Sequence, residues 1–268
     1  MQGPLSVTGS GKPLTKDELD GIKAELEQIK EEYGYTEPDR SFMDNADIDW
    51  RFGGKPDYSL VNLQYLKERS KIHPEGSLEL VVENLVKTWE MERSHKLGAS
   101  SHQSVDVETF KISANGGKVF SNQEANEVGN YNVLLNACPV DVWDSENTTW
   151  EGSHDAFHNA FAAFPWEVLE VFSGPPKVAF TWRHWGTFTG TYEDNKGKGE
   201  LIEMFGFGTA VVNDKLQLTN VDIYYNAEDF IANLRGEKDV EITNPNWQST
   251  GGCPFQTASA ILKKSLPI

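Results

Sequence analysis

The segment VAFTWRHWGTFTG at 178–190 decides the fold of this chain. It is rich in aromatic and β-branched residues, which favour an extended strand. Successive side chains of a strand point to opposite faces, so Phe180, Trp182, His184 and Gly186 share one face. Arg183 lies on the opposite face, where we expect solvent. A long strand with one apolar face predicts a sheet that packs against a second layer.

Similar segments surround this strand and predict an antiparallel meander. They span 166–172, 177–189, 199–212 and 215–225 and are rich in Val, Ile, Phe, Trp and Thr. Their connections are the turn sequence SGPP at 173–176, a Gly/Asn/Lys loop and the pair Asn213-Asp214. Such short connections join strands that are neighbours in the sheet.

Helical patterns precede the strands. Thr15 with Glu18 fits a capping box that opens a helix ending at Gly34. Ser59 opens a short helix, and Ser77 opens a longer one that ends at Gly98. Further helices are predicted at 121–137, 153–164 and 227–235, and an extended segment at 105–112.

This order of elements predicts an α+β fold in which helices cover one face of the sheet. We divide the chain into an N-terminal extension at 1–58, an α+β domain at 59–235 and a C-terminal tail at 236–268. The tail contains Trp247 and Phe255, and these apolar residues indicate that it docks on another surface.

Composition limits the classes of function. The 268 residues include 41 Asp and Glu against 24 Lys and Arg, a net charge of −17. This charge opposes broad contact with nucleic acid or with an anionic membrane surface. The two cysteines, Cys138 and Cys253, are far apart, which indicates neither a disulfide framework nor a thiolate metal site. We expect a cytoplasmic protein, because no secretory signal or long apolar run is present.

Several segments resemble the SnoaL-like branch of the nuclear-transport-factor-like superfamily. They are AFHNAFAAFPW at 156–166, EVLEVFSGPPKVAF at 167–180, WRHWGTFTG at 182–190, GELIEMFGFG at 199–208 and VDIYYNAEDFIANL at 221–234. The segments WRFGGKPDYSLVN at 50–62 and GSLELVVENLVKTWEME at 76–92 narrow the resemblance to pathogen-related proteins.

The resemblance implies a cone-shaped, curved antiparallel sheet covered by about three main helices, with a deep apolar pocket between the layers. Many members of this superfamily are dimers, so the resemblance also allows a homodimer. The superfamily includes polyketide cyclases, ketosteroid isomerases, dehydratases and epoxide hydrolases, together with members that only bind proteins. The fold therefore implies a pocket for a small apolar oxygenated molecule and leaves the reaction open.

Three residues are our candidates for acid/base chemistry in that pocket. His184 lies on the apolar face of its strand, and imidazole titrates near neutral pH. The alternative for His184 is a structural bond to a backbone carbonyl. Asp222 and Tyr224 share a face of the last strand and offer a base and a donor for a developing oxyanion. The alternative is that this pair faces solvent.

The resemblance and the helical spacing suggest further contacts to a substrate. His154 lies near a helix end that would face the pocket, and Trp182 shares a face with His184. Asn226 stands where relatives often carry Asp, and Phe188 stands where they often carry a second histidine. The full set of expected substrate contacts is His154, Trp182, Glu203, Asn226, Trp89 and His95.

We predict no metal and no cofactor. His154 and His158 are four residues apart on a helix, a spacing that could hold two imidazoles on zinc. No HExxH arrangement and no evident third ligand accompany them.

Three readings of the function remain open. The first is a cofactor-free cyclase or isomerase that acts on an apolar oxygenated molecule. The second is a stress-associated protein that binds a ligand or partner without turnover. The third is a dehydratase or hydrolase that uses the same pocket.

Overall fold

The computed structural model describes residues 13–238. The predicted tail at 236–268 falls outside the described residues beyond residue 238, and so does its docking. Within the described range the chain has the predicted α+β architecture, with a large curved sheet and helices packed on it. No helix in this range has the length and the apolar character needed to cross a bilayer.

The helices follow the predicted order. They are α1 (Lys16–Tyr33), α2 (Ser59–Glu68), α3 (Leu78–His95), α4 (Asn122–Val128), α5 (Asn130–Leu134), α6 (Trp150–His158) and α7 (Ala227–Leu234). Both capping boxes are present, because Thr15 caps α1 with Glu18 and Ser121 caps α4 with Glu124. Side-chain capping of the first free N–H groups is what starts these helices at the predicted positions.

Within residues 13–238, eight strands form two sheets. They are β1 (Lys111–Ala114), β2 (Phe120–Ser121), β3 (Trp166–Ser173), β4 (Lys177–Phe188), β5 (Thr191–Tyr192), β6 (Asn195–Lys196), β7 (Glu200–Val212) and β8 (Leu218–Tyr225). The large sheet has the order β2-β1-β8-β7-β4-β3, and β5 pairs with β6. The predicted meander is confirmed, because β3, β4, β7 and β8 pair antiparallel in sequence. The short strand β1 extends this sheet by pairing parallel to β8.

The sheet has a packed layer on each face. On the inner face, α3 and the adjacent segments cover β4, β7 and β8, and the buried apolar side chains form two neighbouring clusters. On the outer face, α1 and α2 pack over Trp185 with Leu26, Leu63 and Leu66. The alternation along β4 is the reason why a single strand contributes to both layers.

Two predicted boundaries are wrong in detail. The helix expected at 121–137 is divided at Gly129, whose φ of +91° requires glycine and does not fit a helix. The extended segment expected at 105–112 becomes a regular strand only at Lys111–Ala114, although Val105 forms an isolated parallel bridge to Leu218.

The placement of Arg183 in solvent is also wrong. Arg183 does lie on the face opposite His184, but only 3% of it is exposed. Its Nε donates to Glu203 Oε1 at 2.6 Å, and its Nη1 donates to Glu167 Oε1 at 3.0 Å and to the Glu68 carbonyl at 3.1 Å. Helix α2 covers this face, so the guanidinium links β3, β4, β7 and α2.

Replacing this guanidinium should destabilise the protein. In Arg183→Met the carboxylates of Glu167 and Glu203 lose their buried counterion, and we expect the free energy of unfolding to fall by about 3–5 kcal/mol. Urea denaturation followed by circular dichroism measures this change. The control Lys196→Met alters an exposed residue and should change stability by less than about 0.5 kcal/mol. Equal stability of the two variants would contradict the assigned role of Arg183.

Candidate functional site

A cavity of about 260 Å³ lies between the inner face of the sheet and the helical layer. Its sheet wall consists of alternate residues of β4, β7 and β8, namely Phe180, Trp182, His184, Met204, Ala210, Leu218, Val221, Ile223 and Tyr225. Its helical wall includes residues of α2, α3, α5, α6 and α7. Most of this lining is apolar, and the polar groups are few and therefore informative.

His184 lines the cavity as predicted, and its ring is fixed by main chain. Its Nε2 lies 3.0 Å from the carbonyl oxygen of Phe164, so Nε2 must carry the proton and donate it. The ring of Phe164 lies 3.8 Å from the imidazole, centroid to centroid. Burial lowers the pKa of His184 to about 4. Neutral His184 can therefore offer a substrate only the acceptor Nδ1.

A second polar group of the cavity is the carboxylate of Glu90, which lies on the helical wall. The hydroxyl of Tyr58 donates to Glu90 Oε2 at 2.8 Å, and the hydroxyl of Ser94 donates to Glu90 Oε1 at 2.7 Å. His95 Nδ1 lies 3.1 Å from the Met91 carbonyl and 3.4 Å from the Tyr58 hydroxyl. Burial of the Tyr58 phenol, followed by the charge of Glu90, raises its pKa well above the usual value. Glu90 is thus a carboxylate on the helical wall that accepts hydrogen bonds from two hydroxyl groups.

Two stacked histidines, His154 and His158, also line the cavity. The rings of His154 and His158 lie 3.8 Å apart, and the ring of Trp150 stacks on His154 at 4.9 Å. His154 Nε2 is buried and has no hydrogen-bond partner among the described residues. Burial, followed by the neighbouring His95 and Arg51, lowers the pKa of His154 to about 4. Burial, followed by His154 and His95, lowers the pKa of His158 to about 3.

Four of the six expected substrate contacts line the cavity: Trp89, His95, His154 and Trp182. The other two do not. Glu203 lies on the outer face of β7, where it binds Arg183. Asn226 is exposed and caps α7 by accepting a hydrogen bond from the backbone N–H of Asp229. Both placements were wrong, because the sequence did not show which groups these polar side chains would bind.

The predicted placement of Asp222 and Tyr224 at the cavity is also wrong. They share a face of β8, but Val221, Ile223 and Tyr225 are the residues of this segment that line the cavity. Asp222 accepts hydrogen bonds from Ser113 Oγ and Asn220 Nδ2, both at 2.7 Å. Tyr224 is 47% exposed. Pairing with β7 and β1 decides which set of side chains faces inward.

Sequence reasoning missed Tyr58 and Glu90 and gave His158 no role beyond a metal. Glu90 and Ser94 are four residues apart on α3, which places them on one face of the helix. That spacing could have indicated that Glu90 and Ser94 contact each other. Tyr58 had no such signal, because it reaches Glu90 from a segment 32 positions earlier in the chain.

The described residues contain no group of three or more His, Cys, Asp or Glu side chains arranged to hold a metal ion. The stacked geometry of His154 and His158 brings their rings face to face, whereas two imidazoles that share a metal direct their ring nitrogens at one point.

Comparison with known proteins gives one relative in sequence and several likenesses in structure. Over 212 residues the chain is 34% identical to a pathogen-related protein of Hordeum vulgare, which covers 76% of this chain and 87% of that relative. No family model matches the chain.

Two of the similar solved structures are candidate polyketide cyclases. A SnoaL-like one from Jannaschia sp. CCS1 has 9% identity and a TM-score of 0.36, and covers 62% of this chain and 97% of its own. IdmH from Streptomyces antibioticus has 12% identity and a TM-score of 0.36, and covers 57% and 98%. Both TM-scores are low, so the description of the fold rests on the structure of this chain.

Ile223 and Tyr224 are adjacent residues of β8, and substitutions at these two positions test which face of the sheet lines the cavity. In Ile223→Trp the larger side chain projects into the cavity, and we expect the affinity for a cavity-binding dye such as 1-anilinonaphthalene-8-sulfonate to fall at least about tenfold, since the dye and the indole need the same space. The control Tyr224→Trp lies on the opposite face and should bind like the native protein. A dye titration followed by fluorescence measures both. Weaker binding by the control alone would reverse the assignment of faces.

The cavity histidines should make stability depend on pH. Histidine in an unfolded chain has a pKa of about 6.5, and the folded values of about 4 for His154 and His184 and about 3 for His158 are lower. The unfolded chain therefore binds more protons below about pH 6.5, and this contribution to stability is lost as the pH falls from about 6.5 towards 4.

Imidazole titration followed by NMR checks this expectation. The His184 signals of the folded protein should remain those of a neutral ring at pH 5, and the same residue in urea should titrate near its ordinary pKa. The urea midpoint should also decrease between pH 7 and pH 5. A folded His184 that titrates with the unfolded chain would contradict the proposed burial.

Proposed function

The chain belongs to the family of pathogen-related proteins, and from this premise we propose that its cavity binds a small, apolar, oxygenated organic molecule and rearranges it by proton transfer. The reaction class is cyclisation or isomerisation without a cofactor. The observation that supports this proposal is the carboxylate of Glu90, which lines a largely apolar cavity and accepts hydrogen bonds from two hydroxyl donors.

Glu90 has the chemistry of a general base. The carboxylate would accept a proton from a carbon next to a substrate carbonyl, so that the C–H bond breaks and an O–H bond forms on Glu90. The electron pair passes into an enolate. Return of the proton to another carbon gives an isomer. Attack of the enolate carbon on a second carbonyl forms a C–C bond and closes a ring, and the resulting alkoxide takes the proton back from Glu90. Neither outcome requires an oxidant or a reductant.

The remaining polar groups of the cavity would position the substrate. Buried His154 Nε2 has no partner within the described chain and is available for a hydrogen bond to a substrate oxygen. His184 Nδ1 accepts, because Nε2 is committed to the Phe164 carbonyl. With a pKa of about 4, His184 is a poor proton donor at neutral pH, so we assign it to orientation.

The apolar lining sets the class of substrate. Phe180, Trp182 and Tyr225 form one wall, and Trp89 and Phe157 lie opposite. Aromatic walls of this kind bind flat or folded carbon skeletons by burial of apolar surface. A strongly charged substrate would lose its hydration without gaining a counterion on most of this surface.

Binding without turnover is the second candidate. It is favoured by the three neutral histidines, since a carrier needs shape and apolar lining and does not need a titrating imidazole. A dehydratase or hydrolase in the same cavity would also depend on Glu90. Measurements of binding and of turnover on the same variants separate these functions.

We expect Glu90→Gln to reduce turnover about 10²- to 10⁴-fold, as removal of a general base does. Substrate affinity should remain within a few-fold, since the amide has a similar size. A panel of aromatic polyketide and terpenoid ketones is screened, with turnover followed by mass spectrometry and binding by quenching of tryptophan fluorescence. The matched control Glu32→Gln makes the same change on an exposed position of α1 and should behave like the native protein.

The outcomes decide between the candidates. Turnover by Glu90→Gln at the native rate would remove Glu90 from the reaction. Tight binding of a ligand by the native protein without conversion of any member of the panel would favour the carrier.

A further inference from the structure

Lys87 lies on the helical wall of the cavity and takes no part in the proton transfer proposed for Glu90. Lys87, on α3, is among the residues that line the cavity. Its side chain is 17% exposed, and its Nζ lies 2.9 Å from Glu83 Oε1. The same Nζ lies 3.2 Å from the centroid of the Tyr65 ring. The amine is therefore mostly removed from bulk water, and Lys87 forms part of the cavity lining.

The counterion of this lysine is already engaged by other groups. Glu83 is 1% exposed, its Oε1 accepts a hydrogen bond from the Tyr65 hydroxyl, and its Oε2 accepts from the backbone N–H of Val168 at 2.9 Å. Lys87 shares Oε1 with Tyr65, whereas its Nζ has only this one recorded hydrogen-bond partner among residues 13–238. Glu83 thus accepts hydrogen bonds from two neutral donors as well as from Lys87. Its carboxylate therefore neutralises the Lys87 ammonium less completely.

Burial lowers the pKa of Lys87 to about 8, and the charge and hydrogen bond of Glu83 oppose a further decrease. The other groups that act on the amine are Arg40, which also lowers its pKa, and Glu167 of β3, which raises it. The phenol of Tyr65 faces it from α2. A buried lysine with a lowered pKa is a typical amine nucleophile towards carbonyl compounds.

We propose that Lys87 is a covalent capture site for small apolar aldehydes or ketones that enter the cavity. The ammonium first transfers a proton to Glu83. The free amine then attacks the carbonyl carbon, a C–N bond forms, and the π electron pair of the carbonyl moves onto its oxygen, which takes a proton from the attacking nitrogen to become a hydroxyl group. Loss of that group as water, with the proton returned, leaves a protonated imine. The imine keeps the single positive charge of Lys87, so the ion pair with Glu83 is preserved.

A second buried lysine shows what distinguishes Lys87. Lys96, which follows α3, has a fully buried side chain whose Nζ donates to Glu92 Oε1 at 2.7 Å and to the Ser101 carbonyl at 2.8 Å. Lys96 does not line the cavity. Both lysines are buried beside a carboxylate. Of the two, Lys87 lines the cavity and Lys96 does not.

The test is reductive trapping with benzaldehyde and sodium cyanoborohydride, followed by peptide mapping of the native protein. At pH 7 the neutral fraction of an amine with a pKa of about 8 is roughly 200-fold larger than that of an ordinary lysine. We therefore expect the N-benzyl group on Lys87 to appear at least about tenfold faster than on exposed Lys23, whose pKa is raised by Asp57. Lys96 should remain unlabelled.

The pH profile and one variant complete the experiment. The labelling rate at Lys87 should increase with a midpoint near pH 8, and Lys87→Arg, which keeps a cation beside Glu83, should lose the fast adduct in intact-mass spectra. Labelling of Lys87 no faster than Lys23, or with a midpoint near that of an ordinary lysine, would overturn the proposal. The readout does not involve Glu90, so its result is independent of the proton-transfer function.

Discussion

The buried guanidinium of Arg183 is the contact on which the arrangement of the cavity depends. It binds Glu167 of β3, Glu203 of β7 and the last carbonyl of α2, all on the outer face of the sheet. Side chains alternate along a strand, so the position of Arg183 behind the sheet places Trp182 and His184 in front of it. A shift of β4 by one residue would move this charge into the apolar cavity, at a cost far above that of a lost hydrogen bond.

Helix α3 plays the corresponding role in the opposite wall, because three of its carboxylates lie in three different environments. Glu83 is bound by Tyr65, Lys87 and a backbone N–H of β3. Glu92 is fully buried and accepts from Lys96, Ser104 and two backbone N–H groups. Glu90, between them, accepts hydrogen bonds from the hydroxyl groups of Tyr58 and Ser94 at the cavity. Glu83 fixes the helix on β3, Glu92 fixes it on the segment at 103–104, and Glu90 is the carboxylate that we propose as the base.

The electrostatic character of the cavity follows from this division. Its buried histidines are neutral at physiological pH because burial disfavours their charged forms. Glu90 and Lys87 are the two groups of the wall to which we assign reactivity, and they lie one turn apart on α3. The cavity thus combines an apolar lining with a base for carbon acids and an amine for carbonyl groups. Both assignments suit an oxygenated hydrocarbon and neither suits a polyanion.

Local periodicity and turn chemistry were sufficient to predict the class of fold. The capping boxes at Thr15 and Ser121 and the four long strands depend on neighbours within a few positions, and the structure confirms them. That Trp182 and His184 share the inner face of β4 followed from the alternation of side chains along one strand. Gly129 interrupted a predicted helix because its positive φ depends on the way the chain packs there, with Trp150 close beside it.

The sequence by itself determined the four long strands, most of the helices, their order, the apolar face of β4 and the presence of His184 on that face, since each of these is a property of a short segment. The tertiary structure alone decided that Asp222 and Tyr224 face outward, that Glu203 serves Arg183, and that Tyr58 meets Glu90. Alternation shows which side chains of a strand share a face, but only pairing with other strands decides which face is inside. A contact across 32 positions depends on how the whole chain closes, and no local pattern records it.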